Sequence, residues 1–120
     1  MSSIIVDTSV FIDFLRGHDL ESLPPLILSG RITLSAIVKL ELLAGALKSE
    51  SNLLEDLLSG LNKIPSLPTV PECQSILSRA RGRGLLTGVP DLMILADCER
   101  TQSALLTLDG KLFKQPRVKS

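Results

Sequence analysis

The stretch IIVDTSVFIDFLRG, residues 4–17, contains an apolar run that ends abruptly on a carboxylate. Residues 3–7 predict a buried strand, since a short β-branched run that stops at a polar cluster is typical of parallel sheets. A helix is predicted from Ser9, the expected N-cap, to Leu15, with Gly17 as the residue that ends it. In open α/β sheets the ligand site lies beyond the carboxyl ends of the strands. Asp7 is therefore the first candidate site residue.

Strand and helix patterns alternate along the rest of the chain. Further strands are predicted at RITLS (31–35) and ALLTL (104–108), with edge strands at KIPSL (63–67) and PRVK (116–119). Helices are predicted over residues 23–30, 36–47, 51–61, 70–82 and 89–102. Repeated alternation favours a doubly wound α/β domain, in which helices cover both faces of a parallel sheet. One such domain is expected over residues 1–120.

Composition narrows the class of protein. A chain of 120 residues with 44% apolar and 22% charged residues is typical of one soluble globular domain. No segment resembles a signal peptide or has the roughly 18 apolar residues of a membrane helix, so a cytoplasmic protein that does not bind membranes is expected. Cys73 and Cys98 lack the spacing of a zinc site or a disulfide framework, and buried reduced thiols are expected.

The charges are unevenly distributed, although the formal net charge is zero. Residues 1–78 hold five basic and nine acidic residues, whereas residues 79–120 hold eight basic and four acidic ones. Three of these bases, Arg79, Arg81 and Arg83, form either an ordinary solvated helix face or a site that positions the phosphates of a nucleic acid. With only three aromatic residues, all phenylalanine, an extensive platform for base stacking is not expected.

Three further carboxylates occupy positions comparable to that of Asp7. Glu41 lies among leucines in the helix after RITLS, where an unpaired charge is costly. Asp91 follows Gly-Val-Pro at a helix start, and Asp109 ends the strand ALLTL. Taken singly, Asp7 and Asp91 are explained as helix-terminal residues and Asp109 as a turn residue. Four acids at one sheet edge are better explained as one site.

Converging carboxylates predict a divalent metal site. They repel one another, which raises their pKa values unless cations neutralise them. Oxygen ligands without nearby histidine or cysteine suit Mg²⁺ or Mn²⁺ rather than zinc. Such ions activate water and stabilise the attacking and leaving oxygens of phosphodiester cleavage. Hydrolytic chemistry is therefore expected.

Four segments cover nearly the whole chain in this order: IIVDTSVFIDFLRG, SAIVKLELLAG, GVPDLMILADCE and LLTLDGKLF. Together they resemble the sequence blocks of PIN-domain proteins, especially the VapC-type ribonuclease toxins of prokaryotic toxin-antitoxin pairs. The resemblance implies a three-layer α/β/α sandwich with a central parallel sheet. It also implies an endoribonuclease that cuts single-stranded regions of RNA with Mg²⁺ or Mn²⁺, forms a homodimer and is inhibited by an antitoxin protein.

The resemblance also implies which residues form the site. The acidic quartet of the family, which holds the metal and supports catalysis, maps onto Asp7, Glu41, Asp91 and Asp109. A hydroxyl that follows the first acid and helps to hold the metal or its waters maps onto Ser9, with Thr8 as its neighbour. Thr107 matches the threonine that precedes the last acid.

Three other polar residues have ordinary explanations. Asp13 lies three residues before Arg16 and is expected to form a pair on the helix surface. Asp97 follows Asp91 by six residues, well off its helical face, and a surface or dimer contact is expected. His18, the sole histidine, is expected to be a loop residue rather than a general base.

Two other functions remain open. A strand-end aspartate such as Asp7 can be the covalent nucleophile of a phosphoryl-transfer protein, although Ser9 stands where phosphatases have a second aspartate. Alternatively, the chain keeps the fold without the chemistry and acts as a partner-binding module. The metal-dependent ribonuclease is the leading hypothesis because all four acids are present.

Overall fold

A computed structural model describes residues 3–18, 21, 23–45, 51–82 and 88–107, without the side chains of residues 80–82. Within these ranges four strands form one sheet: β1 (Ile4–Val6), β2 (Ile32–Leu34), β3 (Asn62–Lys63) and β4 (Ala104–Leu106). The strand order is β3-β2-β1-β4, and every neighbouring pair is parallel. The parallel sheet expected from the sequence is confirmed.

The described part of the chain also contains six helices: α1 (Thr8–Leu15), α2 (Leu23–Ser29), α3 (Ala36–Gly45), α4 (Ser51–Ser59), α5 (Val70–Gly82) and α6 (Val89–Thr101). They flank the sheet, which confirms the three-layer α/β/α sandwich. The edge strand expected at 63–67 is only partly observed: β3 is two residues long and shares only Lys63 with that range. The strand expected at 116–119 lies outside the described residues. Among the described helices, none has the length and apolar character that crossing a membrane requires.

The start of α1 differs from the expectation. Its N-cap is Asp7 rather than Ser9, and the helix begins at Thr8. Asp7 has extended backbone angles (φ −67°, ψ 152°), and its side chain accepts a hydrogen bond from the Thr8 amide. Aspartate satisfies a free amide at a helix start as well as serine does, and it is the first polar residue after β1. Gly17, with a φ of 74°, follows the helix in a left-handed conformation that favours glycine.

Apolar burial fixes β1 at the centre of the molecule. Ile5 of β1, Phe11 of α1 and Leu105 of β4 have no solvent exposure. Burial of each such side chain stabilises the fold by roughly 1.5–3 kcal/mol. Helix α1 packs against α3, and α5 packs against α6. These contacts determine where the carboxyl end of β1 lies relative to its neighbours.

The strand order creates a topological switch between β1 and β4. From β1 the chain continues to β2 and β3 on one side, and it reaches the other side of β1 as β4. Helix α6 joins β4 through two residues, and it runs opposite to the strands, so its amino terminus lies at the carboxyl edge of the sheet. The ends of β1 and β4 and the start of α6 thus lie at the edge where ligands bind in open α/β sheets.

Candidate active site

Asp7 lies at the switch point and is held by neutral hydrogen-bond donors. The residue is buried, with only 8% of its surface exposed. Oδ1 accepts a hydrogen bond from the Thr8 amide at 2.8 Å, and Oδ2 accepts two, from Ser9 Oγ at 3.1 Å and Thr107 Oγ1 at 2.8 Å. Because a carboxylate oxygen has two lone-pair positions, Oδ2 is fully used and Oδ1 keeps one position for a ligand.

Thr107 ties β4 to the carboxylate at the end of β1. Its hydroxyl donates to Asp7 although the two residues are 100 positions apart in sequence, and the residue is 3% exposed. The Asp7 amide donates to the carbonyl of Leu106 at 2.9 Å, which continues the ladder between the two strands. The chain therefore fixes both the backbone and the side chain of Asp7 from the neighbouring strand.

Glu41 is connected to the same site through Thr8. The Thr8 hydroxyl donates to Glu41 Oε1 at 2.7 Å, which joins the first residue of α1 to the second turn of α3. Glu41 is half-buried, and within the described residues its Oε2 accepts no hydrogen bond. From the sequence, Thr8 is predicted only as the neighbour of Ser9, the hydroxyl expected to help hold the metal. Its hydrogen bond to Glu41 depends on the packing of α1 against α3, which no local signal reveals.

Asp91 occupies the first turn of α6. The N-cap of this helix is Gly88, followed by Pro90 at the start of the first turn. An acid at this position interacts favourably with the helix macrodipole, so the ordinary explanation of Asp91 also holds. Since the amino terminus of α6 lies at the carboxyl edge of the sheet, Asp91 is on the same edge as Asp7.

The structure brings only part of the predicted quartet into direct connection. Asp7 and Glu41 are linked through Thr8, whereas the described residues contain no group of three or more His, Cys, Asp or Glu side chains placed to hold one metal ion. Asp109 lies outside the described residues. Assignment of the full quartet and of Ser9 as ligands or catalytic groups thus stays a prediction.

The donor atoms around Asp7 suit a hard cation. They are carboxylate and hydroxyl oxygens, and no described lysine or arginine lies within ion-pair distance of Asp7. Burial, with smaller contributions from the charges of Asp97 and Asp7, raises the pKa of the Cys98 thiol to about 12. The donors described around Asp7 are all oxygen or backbone amide groups, and oxygen ligands suit Mg²⁺ or Mn²⁺.

The expectation for Asp97 is wrong. It is fully buried rather than a surface contact, and it pairs with Arg100 one turn later on α6. Helix α6 is buried on most sides, since every residue from Ile94 to Cys98 is buried, so a residue that is off the face of Asp91 need not be exposed to solvent. The local pattern could not show this, because the burial comes from α3 and α5 packing against α6.

The remaining predictions for charged residues have mixed outcomes. Asp13 pairs with the exposed His18, with 3.5 Å between Nδ1 and Oδ1, rather than with Arg16. Arg79 forms an ion pair with Glu99 of α6 and is 44% exposed at its side chain, which agrees with a solvated helix face. The Arg81 side chain and all of Arg83 lie outside the described part. Cys73 and Cys98 are both free thiols, as expected, but only Cys98 is fully buried.

Comparison with protein families identifies the family to which this fold belongs. A family model of the PIN domain matches residues 4–118. The chain belongs to the PIN domain family. A comparison of this PIN domain with curated proteins finds no match.

Three of the solved structures similar to this PIN domain are toxin-antitoxin complexes. A chain of VapBC2 from Rickettsia felis, bound to a DNA fragment from its promoter, is 25% identical with a TM-score of 0.75, over 96% of this chain and 94% of that chain. DNA-bound VapBC from Salmonella typhimurium gives 21% identity and a TM-score of 0.80, over 99% and 96%. A toxin-antitoxin complex from Klebsiella pneumoniae gives 24% and 0.71, over 98% and 97%. The resemblance to PIN domains of the VapC type is therefore confirmed.

Proposed function

We propose that this PIN domain is a metal-dependent endoribonuclease of the VapC type and the toxin of a toxin-antitoxin pair. The observation that carries the proposal is the linked set Asp7, Thr8 and Glu41 at the switch point of a PIN-domain sheet. The similarity to VapBC2 from Rickettsia felis supports the same assignment. The reaction is hydrolysis of a phosphodiester bond in a single-stranded region of RNA.

The proposed metal ligands are Asp7, Glu41, Asp91 and Asp109. Asp7 contributes Oδ1, since both lone-pair positions of Oδ2 are occupied, and Glu41 contributes Oε2, which accepts no hydrogen bond from the described residues. Asp91 reaches this edge from the start of α6, and Asp109 follows β4 in the sequence. A bound Mg²⁺ or Mn²⁺ supplies the positive charge that activates a water molecule and stabilises the oxyanions of cleavage.

The hydroxyl groups of the chain orient the two best-placed carboxylates. Ser9 and Thr107 both donate to Oδ2 of Asp7, and among the described residues only the Thr8 amide donates to Oδ1. Thr8 holds Oε1 of Glu41 in the same way. Each carboxylate is thus kept in one orientation before a ligand arrives, and less side-chain entropy is lost on binding.

The charge distribution supports an RNA substrate. Without the four proposed ligands, the chain carries thirteen basic and nine acidic residues. Such an excess attracts a polyanion, and the affinity for RNA is then expected to fall with increasing salt. Arg79 contributes little to this attraction because Glu99 neutralises it.

An antitoxin protein and a second copy of the chain are the proposed partners. Leu40 and Leu43 lie on α3 with 52% and 44% exposure, and Leu53 on α4 is 61% exposed. Exposed apolar side chains that lie three residues apart on a helix support a protein interface. Co-expression with the product of a neighbouring antitoxin gene should suppress cleavage, and light scattering should give the mass of a dimer.

The test of the function is cleavage of a fluorescent single-stranded RNA by the purified protein. Cleavage should require Mg²⁺ or Mn²⁺ and stop on addition of EDTA. Asp7→Asn should lower the rate at least about 100-fold, since even groups that only support metal ligands are worth 10–100-fold. The circular dichroism spectrum should be unchanged.

The matched control is Asp56→Asn, which neutralises an exposed acid on α4. It should cleave at the rate of the wild-type protein. Cleavage that persists in EDTA, or an Asp7→Asn variant as active as the control, would contradict the proposed function.

A further inference from the structure

Thr8 bonds to both of the acids that the structure links at the carboxyl edge. Its backbone amide donates to Asp7 Oδ1 at 2.8 Å, and its hydroxyl donates to Glu41 Oε1 at 2.7 Å. The amide bond survives any substitution except proline, whereas the hydroxyl bond depends on the side chain. One residue thus connects the two carboxylates, and its hydroxyl is the part of the connection that a substitution removes.

The place of Thr8 at the start of α1 makes its hydroxyl available for Glu41. Inside a helix, a threonine hydroxyl can bond to a carbonyl one turn earlier. Because α1 begins at Thr8, no helical carbonyl precedes it, and the hydroxyl instead bonds to α3. Branching at Cβ also restricts the first side-chain torsion of threonine, so the donor points in few directions.

Each of the two helices is anchored by apolar burial that does not involve this bond. Phe11 of α1 and Val38 of α3 have no solvent exposure and belong to the same hydrophobic core. Thr8 and Glu41 are only partly buried, and a hydrogen bond at such a place contributes modestly to stability because water replaces it on unfolding. Its loss should therefore act mainly on where the Glu41 carboxylate lies.

Divalent cations differ in how strictly they require carboxylates at fixed positions. Mg²⁺ demands nearly ideal octahedral geometry at about 2.0–2.1 Å, whereas Ca²⁺ accepts roughly six to eight oxygens at about 2.3–2.6 Å in flexible arrangements. Loosening one of two carboxylates should therefore weaken Mg²⁺ binding more than Ca²⁺ binding.

We infer that Thr8 is a positioning residue that fixes the separation of Asp7 and Glu41 and thereby favours Mg²⁺ over Ca²⁺. Both of its donor groups are engaged by carboxylates, so it acts through these two acids. The inference rests on the proposed function, because that function assigns both acids to one cation. It adds which residue sets the preference among cations.

The experiment compares Thr8→Val with Thr8→Ser in the full chain, by isothermal titration calorimetry with Mg²⁺ and with Ca²⁺. Valine has nearly the shape of threonine but no donor, so the affinity for Mg²⁺ should fall about tenfold, the size seen for groups that orient metal ligands. The affinity for Ca²⁺ should fall less than about threefold. Thr8→Ser keeps the donor and should restore the ratio of the two affinities.

The matched control is Thr69→Val. Thr69 Oγ1 also donates to a glutamate, Glu72 Oε1, at 2.9 Å, but this pair lies at the start of α5. Glu72 pairs with Arg100 in the last turn of α6, whereas Asp91 lies in its first turn. The control should bind both cations as the wild-type protein does. An equal loss of Mg²⁺ preference in the control would overturn the inference.

Action through Glu41 predicts effects that do not add. In a Glu41→Ala background, Thr8→Val should lower the affinity for Mg²⁺ little further, since the carboxylate that it positions is already lost. A folded Thr8→Val variant with the wild-type ratio of affinities would overturn the inference, as would a Thr8→Ser variant equally impaired. If Thr8→Val does not fold, Thr8→Ala replaces it with the same expected result.

Crystal structures of the metal-free proteins separate this inference from the proposed function. The Glu41 carboxylate should occupy one conformation in the wild-type protein and in Thr8→Ser, and should be disordered, with higher B-factors, in Thr8→Val. A Glu41 side chain equally well ordered in Thr8→Val would contradict the role of Thr8. A wild-type protein that binds Mg²⁺ at these acids but cleaves no RNA would contradict the nuclease alone.

Discussion

Asp7 and Asp97, the two buried carboxylates in the described part of this chain, are held in opposite ways. Asp7 accepts three hydrogen bonds from uncharged donors and has no described cation beside it. Asp97 is more deeply buried and has Arg100 as its counter-ion. One acid is oriented but not neutralised, whereas the other is neutralised within the fold.

The difference indicates what each carboxylate is available for. A charge that the protein does not balance is costly near the interior, and it gains most when a cation arrives from solution. Asp7 also lies at the carboxyl edge of the sheet, where a ligand can reach it, while Asp97 lies between helices. We therefore expect substitutions around Asp7 to reduce activity. Substitutions around Asp97 should reduce stability or shift the helices that contact it.

The largest expected effect is on stability, in Arg100→Leu. This substitution leaves Asp97 buried without its cation and should lower the free energy of unfolding by about 3 kcal/mol, near the lower end for broken buried pairs because Arg100 is partly exposed. Urea denaturation followed by circular dichroism measures it. Arg79→Leu, which breaks the partly exposed pair with Glu99, is the control and should cost less, about 1 kcal/mol. Equal losses in the two variants would contradict the contrast between the regions.

Thr107→Val should affect activity more than stability. It removes a donor to Asp7 Oδ2 with almost no change in shape, and the rate of RNA cleavage should fall about tenfold because the carboxylate is less well oriented. Thr107→Ser keeps the hydroxyl and should restore most of the rate. A valine variant that cleaves as fast as the serine variant would show that Thr107 does not orient Asp7.

Thr69→Ala should lower stability without changing activity. Thr69 and Glu72 form a capping box at the start of α5: the Thr69 amide donates to Glu72 Oε1 at 2.8 Å, and the Glu72 amide donates to Thr69 Oγ1 at 3.3 Å. Its loss should cost about 1 kcal/mol in the free energy of unfolding. If the folded Thr69→Ala variant cleaved RNA more slowly than the wild-type protein, the start of α5 would also affect the active site.

The smallest expected effect is a change in the pH dependence of stability. Burial raises the pKa of Asp97 above its ordinary value of 3.8, so the folded protein keeps the proton to higher pH than the unfolded chain. The wild-type free energy of unfolding therefore contains a contribution that is lost as pH rises from the ordinary pKa of an aspartate through the raised pKa of Asp97. Asp97→Asn lacks it, so its stability relative to wild type should increase from pH 4 upwards. A difference independent of pH would contradict the raised pKa.

The sequence predicts the site edge better than the packing beneath it. The β-branched run before Asp7 and the start of α6, with Asp91 in its first turn, follow from local patterns, and both are observed at the carboxyl edge. By contrast, the bond between Thr107 and Asp7 joins residues 100 positions apart and requires the strand order. The burial of Asp97 likewise depends on the helices around α6, and a period of 3.6 residues does not show which faces of a helix are covered.

The most direct test of the central claim is the position of Mn²⁺ in crystals of the wild-type protein, located by anomalous diffraction. We expect a peak bound to Asp7 Oδ1 at about 2.1–2.2 Å, with Glu41 on the same ion or on one of its waters. Crystals of Asp7→Asn grown with the same metal should lack the peak. Mn²⁺ bound elsewhere with none at Asp7, or an equal peak in the Asp7→Asn crystals, would contradict a metal site built on this carboxylate.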